Sequence, residues 1–397
     1  MSIRRTCRWL AAPLAGVLVL AACGGDDDDD ASGTEAPAGT DAPAGSAAAG
    51  DVDLSADCPA TVVLQTDWNP EAEHGWIYNM IGEGYTIDKD GVRVTGPLMA
   101  GDVDTGVDLE VRSGGPAIGF QTVTSQMYTD DSILIGYVYT DEAIQNSAEF
   151  PTVAMMSGME KNPQMIMWDP ATYPDVEDIA DLGEEGIKIR YFSSAAYMDY
   201  FREEGIVSSD QLDASYDGTP GNFVAAQGKD AQQGFGSAEP YIYEHEVEDW
   251  MKPVSYTYIN DNGWNNYAES IATRPENIET YRACFEKLIP IIQQSAVDYI
   301  ADPQSTNDLI LEAVETFDNG WVYTQGVADY AVETMKADGL IGNGPDDTIG
   351  NFDLDRVNEL IAIAIPTYTS LGQPPKDGLT AEDVVTNEFI DDSISLP

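Results

Sequence analysis

Thr61-Val62-Val63-Leu64-Gln65-Thr66-Asp67-Trp68-Asn69-Pro70 is a run of β-formers that breaks off into polar and ring residues. Three consecutive aliphatic residues fit a buried strand, and Asp-Trp-Asn-Pro supplies the turn chemistry that ends it. Apolar residues over 73–81 then recur at helical spacing, so the stretch reads as strand, loop and helix. The same unit recurs downstream. Residues 107–112 read as a second strand, and Gly115-Pro116 opens a helix running to about Tyr128, with Pro suited to its first turn. Residues 133–139, 152–156, 164–168 and 187–192 read as further strands, and 195–204 as an aromatic-rich helix. Such alternation predicts an α/β fold with largely parallel sheets.

After Tyr256 the pattern turns helical. Residues 275–300, 307–317, 322–336 and 354–365 carry apolar side chains at helical spacing, and Asp353 is placed to cap the last of them. The aromatic and Met residues on these helices are assigned to the core.

At the other end, Arg4, Arg5 and Arg8 precede an apolar run over 9–22 that is short for a bilayer span. This is the pattern of a secretory signal. It closes on Leu20-Ala21-Ala22-Cys23, which looks like a bacterial lipobox, so Cys23 is the expected lipidation site. Acyl chains contribute about 0.8 kcal/mol per buried methylene, enough to hold such a protein at a membrane. Residues 24–57 are built from Gly, Ala, Asp, Ser, Thr and Pro, including the run from Asp26 to Asp30. They cannot bury enough apolar surface to offset their chain entropy, and are expected to form a disordered tether.

The chain carries 18 basic and 70 acidic residues, a formal charge of −52. Nucleic acid is excluded as a partner, because its phosphates need a basic face. Anionic lipid is repelled as well, which leaves the acyl group as the membrane contact. The acids are spread along the chain, as solubility requires. Of the four cysteines, Cys7 leaves with the signal and Cys23 takes lipid, so Cys58 and Cys284 are expected to pair outside the cell. His74 and His245 are the only histidines, which excludes a multi-histidine metal site. No metal or cofactor is expected. Neither a G-x-S-x-G elbow, a Walker loop nor a G-x-G-x-x-G fingerprint occurs, so no enzyme is expected.

Several segments resemble the type II periplasmic binding fold, in the family that holds the sulfonate and taurine binders and the thiamine-pyrimidine binders (NMT1/THI5-like). The opening run through Asp67, Trp68 and Pro70, followed by His74-Gly75 and Tyr78, resembles the pyrimidine branch's first strand and loop. Ser113-Gly114-Gly115-Pro116-Ala117 is similar to the family's second strand-to-helix turn, and residues 176–183 to its entry into the second lobe. Ser193-Ser194-Ala195-Ala196-Tyr197 stands where relatives place a helix N-terminus at the ligand. Residues 231–241, ending in Glu239-Pro240-Tyr241, resemble the segment that returns a carboxylate and an aromatic to the cleft. Gly236-Ser237-Ala238 precedes Glu239 where pyrimidine binders carry aromatics, which suggests a separate branch.

The resemblance implies two lobes with a ligand cleft between them and a helix-rich C-terminal part. The expected layout is 1–22 signal peptide, 23–57 tether, 58–158 first part of lobe 1, 159–254 lobe 2 and 255–397 the rest of lobe 1. It further implies a lipid-anchored solute-binding protein of an ABC importer on the outer face of the bacterial cytoplasmic membrane. Its partners would be a small solute and a permease, with the protein itself a monomer. Trp68 would stack on a ring or, equally, fill the core. Asp67 and Glu71 would accept from an amino group or pair with a cation, though Glu71 could also be a solvated loop acid. His74 would line the cleft, and Tyr78, one turn on, would face the same side or, equally, sit in the core. Opposite them, Ser193 and Ser194 would offer a helix N-terminus to a solute or simply cap that helix. Tyr197 and Tyr241 would stack, and Glu239 would bond a heteroaromatic amine or cap its own helix. The solute implied is a nitrogen-containing heteroaromatic such as a thiamine pyrimidine precursor. The alternatives are a sulfonate, taurine or nitrate binder of the same fold, and a surface sensor lipoprotein.

Overall fold

The aliphatic run Thr61–Gln65 forms a strand (β1) with Val62, Val63 and Leu64 buried, in a computed structural model that describes residues 52–397. Cys23, the signal and most of the tether lie outside the described residues. After β1 come Thr86–Asp88 (β2), Arg93–Ala100 (β3), Val103–Arg112 (β4), Ile135–Val138 (β5) and Val153–Met156 (β6). Gln164–Trp168 (β7), Ile189–Arg190 (β8), Leu212–Asp213 (β9), Ala231–Phe235 (β10) and Ser255–Tyr258 (β11) follow, and Ser270–Thr273 (β12) is the last. Two sheets result. One has the order β2-β3-β4-β1-β5-β12-β6, the other β11-β7-β10-β8-β9.

Both sheets are mixed, which corrects the expectation of largely parallel pairing. β1 runs parallel to β4 and β5, whereas β2, β3 and β4 form an antiparallel meander and β12 pairs antiparallel with β5 and β6. The meander escapes a pattern reading because Gly96 and Pro97 interrupt β3. Pro97 sits where the register slips, a place where a missing N–H is tolerated.

Helix ends differ from the expected ones for local reasons. The helix expected over 73–81 shrinks to a turn, Ala72–His74, and one helical turn, Gly75–Tyr78. The helix expected from Gly115 is a short turn, Gly115–Ile118, that stops at Gly119 with φ 64° and restarts as Val123–Thr129. At the C-terminus, Asp353 caps Leu354–Ser370 through the N–H groups of Asp355 and Arg356. That helix runs past Pro366, because Val357, Leu360, Ile361, Ala364 and Tyr368 bury one face of it. Tertiary burial there outweighs the lost hydrogen bond.

A disulfide joins Cys58, just before β1, to Cys284 on the helix Arg282–Ala301, with S–S 1.98 Å across 226 positions of sequence. The two sheets are connected by residues 157–163 and 259–269. Met159 donates its N–H to the Ala268 carbonyl at 3.1 Å, and the buried Asn162 Nδ2 donates to Asn266 Oδ1 at 2.7 Å. Asp141 receives Asn266 Nδ2 at 2.8 Å and Trp264 Nε1 at 3.1 Å. Among the described residues no helix is long and apolar enough to cross a membrane.

Candidate functional site

At the C-terminal end of β1 the chain turns sharply. Gly114 and Gly115 donate their N–H groups to the carbonyls of Trp68 and Asp67, each at 2.8 Å. A Cβ on Gly114 would lie 2.2 Å from the Thr66 carbonyl oxygen, and one on Gly115 would lie 2.5 Å from the Trp68 ring. The two glycines therefore let the second loop press against the first and hold the Trp68 ring at the mouth of a cavity of about 530 Å³. That volume is in the range of small-molecule sites. The cavity lies between the two sheets, with Trp68, Phe120 and Tyr139 on one side and Phe192, Gln233 and Glu239 on the other.

Rings surround Trp68. Phe120 stands 5.9 Å away, Phe192 6.2 Å and Trp321 6.1 Å between centroids, all inclined to it. Phe192 in turn packs on Tyr216 at 4.8 Å, and Trp321 stacks on Tyr323 at 6.2 Å. Trp321 Nε1 donates to the Pro70 carbonyl at 3.2 Å, and the Ala72 N–H to the Tyr323 hydroxyl at 2.9 Å, which ties the C-terminal segment to the β1 loop. Such a box gripping a flat or cationic group uses ring area and ring quadrupoles together.

The charged side chains lining the cavity are Asp67, Glu71, Asp217 and Glu239, and among the described residues no Lys, Arg or His joins them. Glu239 is held from within its own lobe: the Phe235 N–H donates to it at 2.6 Å and the Tyr216 hydroxyl at 3.5 Å. Burial pushes its carboxyl up to about 7, against the pull of the Phe235 N–H. Glu71 rises well above the usual carboxylate range through burial and the neighbouring charges of Glu73, Glu269, Asp67 and Glu239.

Solved structures resemble the chain over most of its length. The periplasmic aliphatic sulphonate binding protein SsuA from Escherichia coli aligns at 13% identity and a TM-score of 0.52, over 86% of this chain and 94% of that one. A ligand-binding component of an ABC-type import system from Staphylococcus aureus, with zinc bound, aligns at 10% identity and a TM-score of 0.50, over 84% and 100%. The alkanesulfonate-binding protein SsuA from Xanthomonas axonopodis pv. citri, bound to MOPS, aligns at 10% identity and a TM-score of 0.50, over 83% and 99%. The fold is that of the type II periplasmic binding proteins. No protein-family model matches the chain, and no curated protein matches its sequence.

In this two-lobed fold the cavity is the cleft between the lobes, and the expected residues divide. Asp67, Trp68, Ser193, Ser194 and Glu239 line it, as does Glu71. Ser193 and Ser194 do so without capping the helix Ala196–Glu203, whose N-cap is Ala195. Glu239 is the first residue of its own helix rather than the cap. Tyr197 is placed differently from the expectation, and Tyr78 takes the core position of its two expected ones. Both are buried, Tyr78 in the core beneath the first sheet at the end of its helical turn and Tyr197 against Phe201 at the start of its helix. Tyr241 also lies off the cavity, packed on Tyr330 at 5.7 Å where the two lobes touch. His74 is one layer behind the lining. It is fully buried on Tyr137, with Nε2 3.1 Å from Asp67 Oδ1 and 3.8 Å from Glu71 Oε1.

Sequence reading missed Phe120, Phe192, Tyr216, Trp321 and Tyr323. A signal existed for two of them: Trp321 and Tyr323 follow Asn319-Gly320, a turn pair, so rings in a loop stood where a helix is expected. It also missed Glu269, at φ 50° immediately before β12. Its carboxyl is fully buried and lies well above the usual range, through burial and the nearby charges of Asp67 and Glu73.

Proposed function

We propose that the chain is an extracytoplasmic solute-binding lipoprotein, with no catalytic activity, that captures a small aromatic solute bearing an amino group and hands it to an ABC permease. The observation that carries this is the lining itself: a box of rings around Trp68 combined with four carboxylates and no basic side chain among the described residues. Rings bury a flat heterocycle, and Glu239, Asp67 and Glu71 accept from its amino hydrogens or meet a positive charge. A thiamine pyrimidine precursor has this chemistry. A sulfonate or nitrate would find acids and, among the described lining residues, no basic side chain to pair with, so the solute class of the sulfonate-binding neighbours is disfavoured here. The lipobox supports an acyl anchor at Cys23, with the membrane reached through lipid alone; the tether proposed after it ends before Val52 and not at 57, because Leu54 is buried and donates its N–H to the Thr105 carbonyl at 2.9 Å.

Native mass spectrometry of the purified protein identifies the co-purified solute, and calorimetry then measures its affinity. Trp68→Ala removes a stacking face worth roughly 1–3 kcal/mol by analogy with base–aromatic contacts, and Glu239→Gln removes the acceptor of an amine, so each should weaken binding about tenfold or more. A co-purified sulfonate, or wild-type affinity in both variants, would sink this reading.

A further inference from the structure

We propose that Asp67, His74 and Glu269 bind a single divalent transition-metal cation behind the cleft wall of the first lobe. The donor atoms of these three residues all lie within 4.8 Å of one another, a distance that two metal–ligand bonds of about 2.0–2.4 Å can span. His74 Nε2 is 3.1 Å from Asp67 Oδ1, close to the separation of neighbouring ligands on one ion, and Glu71 Oε1 at 3.8 Å is within reach as a fourth donor. Two histidines exclude a multi-histidine centre but not a carboxylate-rich one.

Glu269 is the independent observation. Its side chain is 0% exposed, and among the described residues neither carboxylate oxygen has a hydrogen-bond partner. A buried carboxylate with no donor is among the costlier arrangements in a protein, and the charges that act on it are those of further acids, Asp67 and Glu73, with Glu71 and the hydroxyls of Tyr137 and Tyr139 also near enough to feel it. Glu73 has its own partner in the Ser237 hydroxyl. The basic group at hand is His74, whose Nε2 is already directed to Asp67. A cationic solute cannot serve instead, because Glu269 and His74 do not line the cleft. Asp67 does line it, so an ion can enter from the cleft past that side chain. An imidazole nitrogen among carboxylates selects a first-row transition metal over calcium or magnesium, which prefer oxygen alone.

Zinc chloride titrated into chelator-stripped full-length protein should bind with a stoichiometry of one by calorimetry, and Glu269→Gln should weaken it at least tenfold. A second measurement needs no variant at these positions. In a ¹H–¹⁵N spectrum of the imidazoles, one zinc per chain should move the His74 signal and leave His245 in place, with His245→Gln assigning the two. The proposal is overturned by an unmoved His74 signal at saturating zinc, by unchanged zinc affinity in Glu269→Gln, or by calcium binding the site more tightly than zinc. Zinc binding that persists undiminished in Trp68→Ala, where solute binding is weakened, keeps this site distinct from the solute reading.

Discussion

On the second-lobe wall of the cleft the Glu239 carboxylate receives the Phe235 N–H at 2.6 Å and the Tyr216 hydroxyl at 3.5 Å, and it opens on the cavity. Behind the first-lobe wall Glu269 is buried more deeply, at 0% exposure, receives nothing among the described residues and is not part of the cleft lining. Both carboxyls are shifted upward chiefly by burial, yet their surroundings differ in kind. An acid with one strong donor that still opens on the cleft fits the acceptor role proposed for Glu239. A buried acid without donors, beside another acid and an imidazole, is half of a pairing that a cation completes. The contrast shows that burial alone does not assign a role; the partners already present do.

The first lobe is also braced covalently. Cys58 and Cys284 close a loop of 226 positions, worth up to about 5 kcal/mol of loop entropy in the ideal case. Replacing both by Ser should lower stability by an amount of that order in urea denaturation, more than any other change proposed below. Amide exchange should quicken in β1, β4 and β5 before β10. Faster exchange in β10 first would reverse the contrast between the lobes.

The pH dependence tests the Glu239 side. Its carboxyl lies at about 7 when folded and near 4.5 otherwise, so the folded chain keeps a proton that the unfolded chain has lost between those values. Stability from this group is therefore full below about pH 4.5, declines as pH rises through 7, and is level above it. The decline attributable to Glu239 is roughly 3 kcal/mol. Glu142 and Glu160, also at about 7, add declines of the same sign. Denaturation curves from pH 4.5 to 8 should show a shallower fall in Glu239→Gln than in the parent. Parallel profiles would mean that the Glu239 environment is not the one described.

The smallest effect concerns how the two walls are joined. Asn266→Ala would leave Asn162 Nδ2 on the other connecting segment, and Asp141 Oδ1 on the helix Thr140–Asn146, without their partner, at about 2 kcal/mol. Chemical denaturation should register that loss. An unaltered midpoint would show that the connections are held by the Met159–Ala268 backbone bond rather than by these side chains.

Much of the frame is legible in the chain itself. The strands Thr61–Gln65 and Gln164–Trp168 and the Asp353 cap depend on a few consecutive residues, and local pattern is sufficient for them. The Asp67-Trp68 loop and Glu239 can be singled out because their motifs are contiguous. The meander over β2 and β3 is hidden by Gly96 and Pro97, and the paired thiols follow from counting rather than geometry.

The alternation of strands and helices, the acidic character and the two loops that face each other across the cleft are thus written in local stretches of the chain. Which rings line the cleft is settled by tertiary folding. Phe192, Trp321 and Tyr323 come to Trp68 from positions 124 to 255 residues away, whereas Tyr78, ten residues from it, turns into the core. Glu269 likewise meets Asp67 and His74 only because β12 returns to the first sheet beside β5. Proximity of this kind is set by how the sheets close and which faces they bury, and no window of neighbouring residues records it.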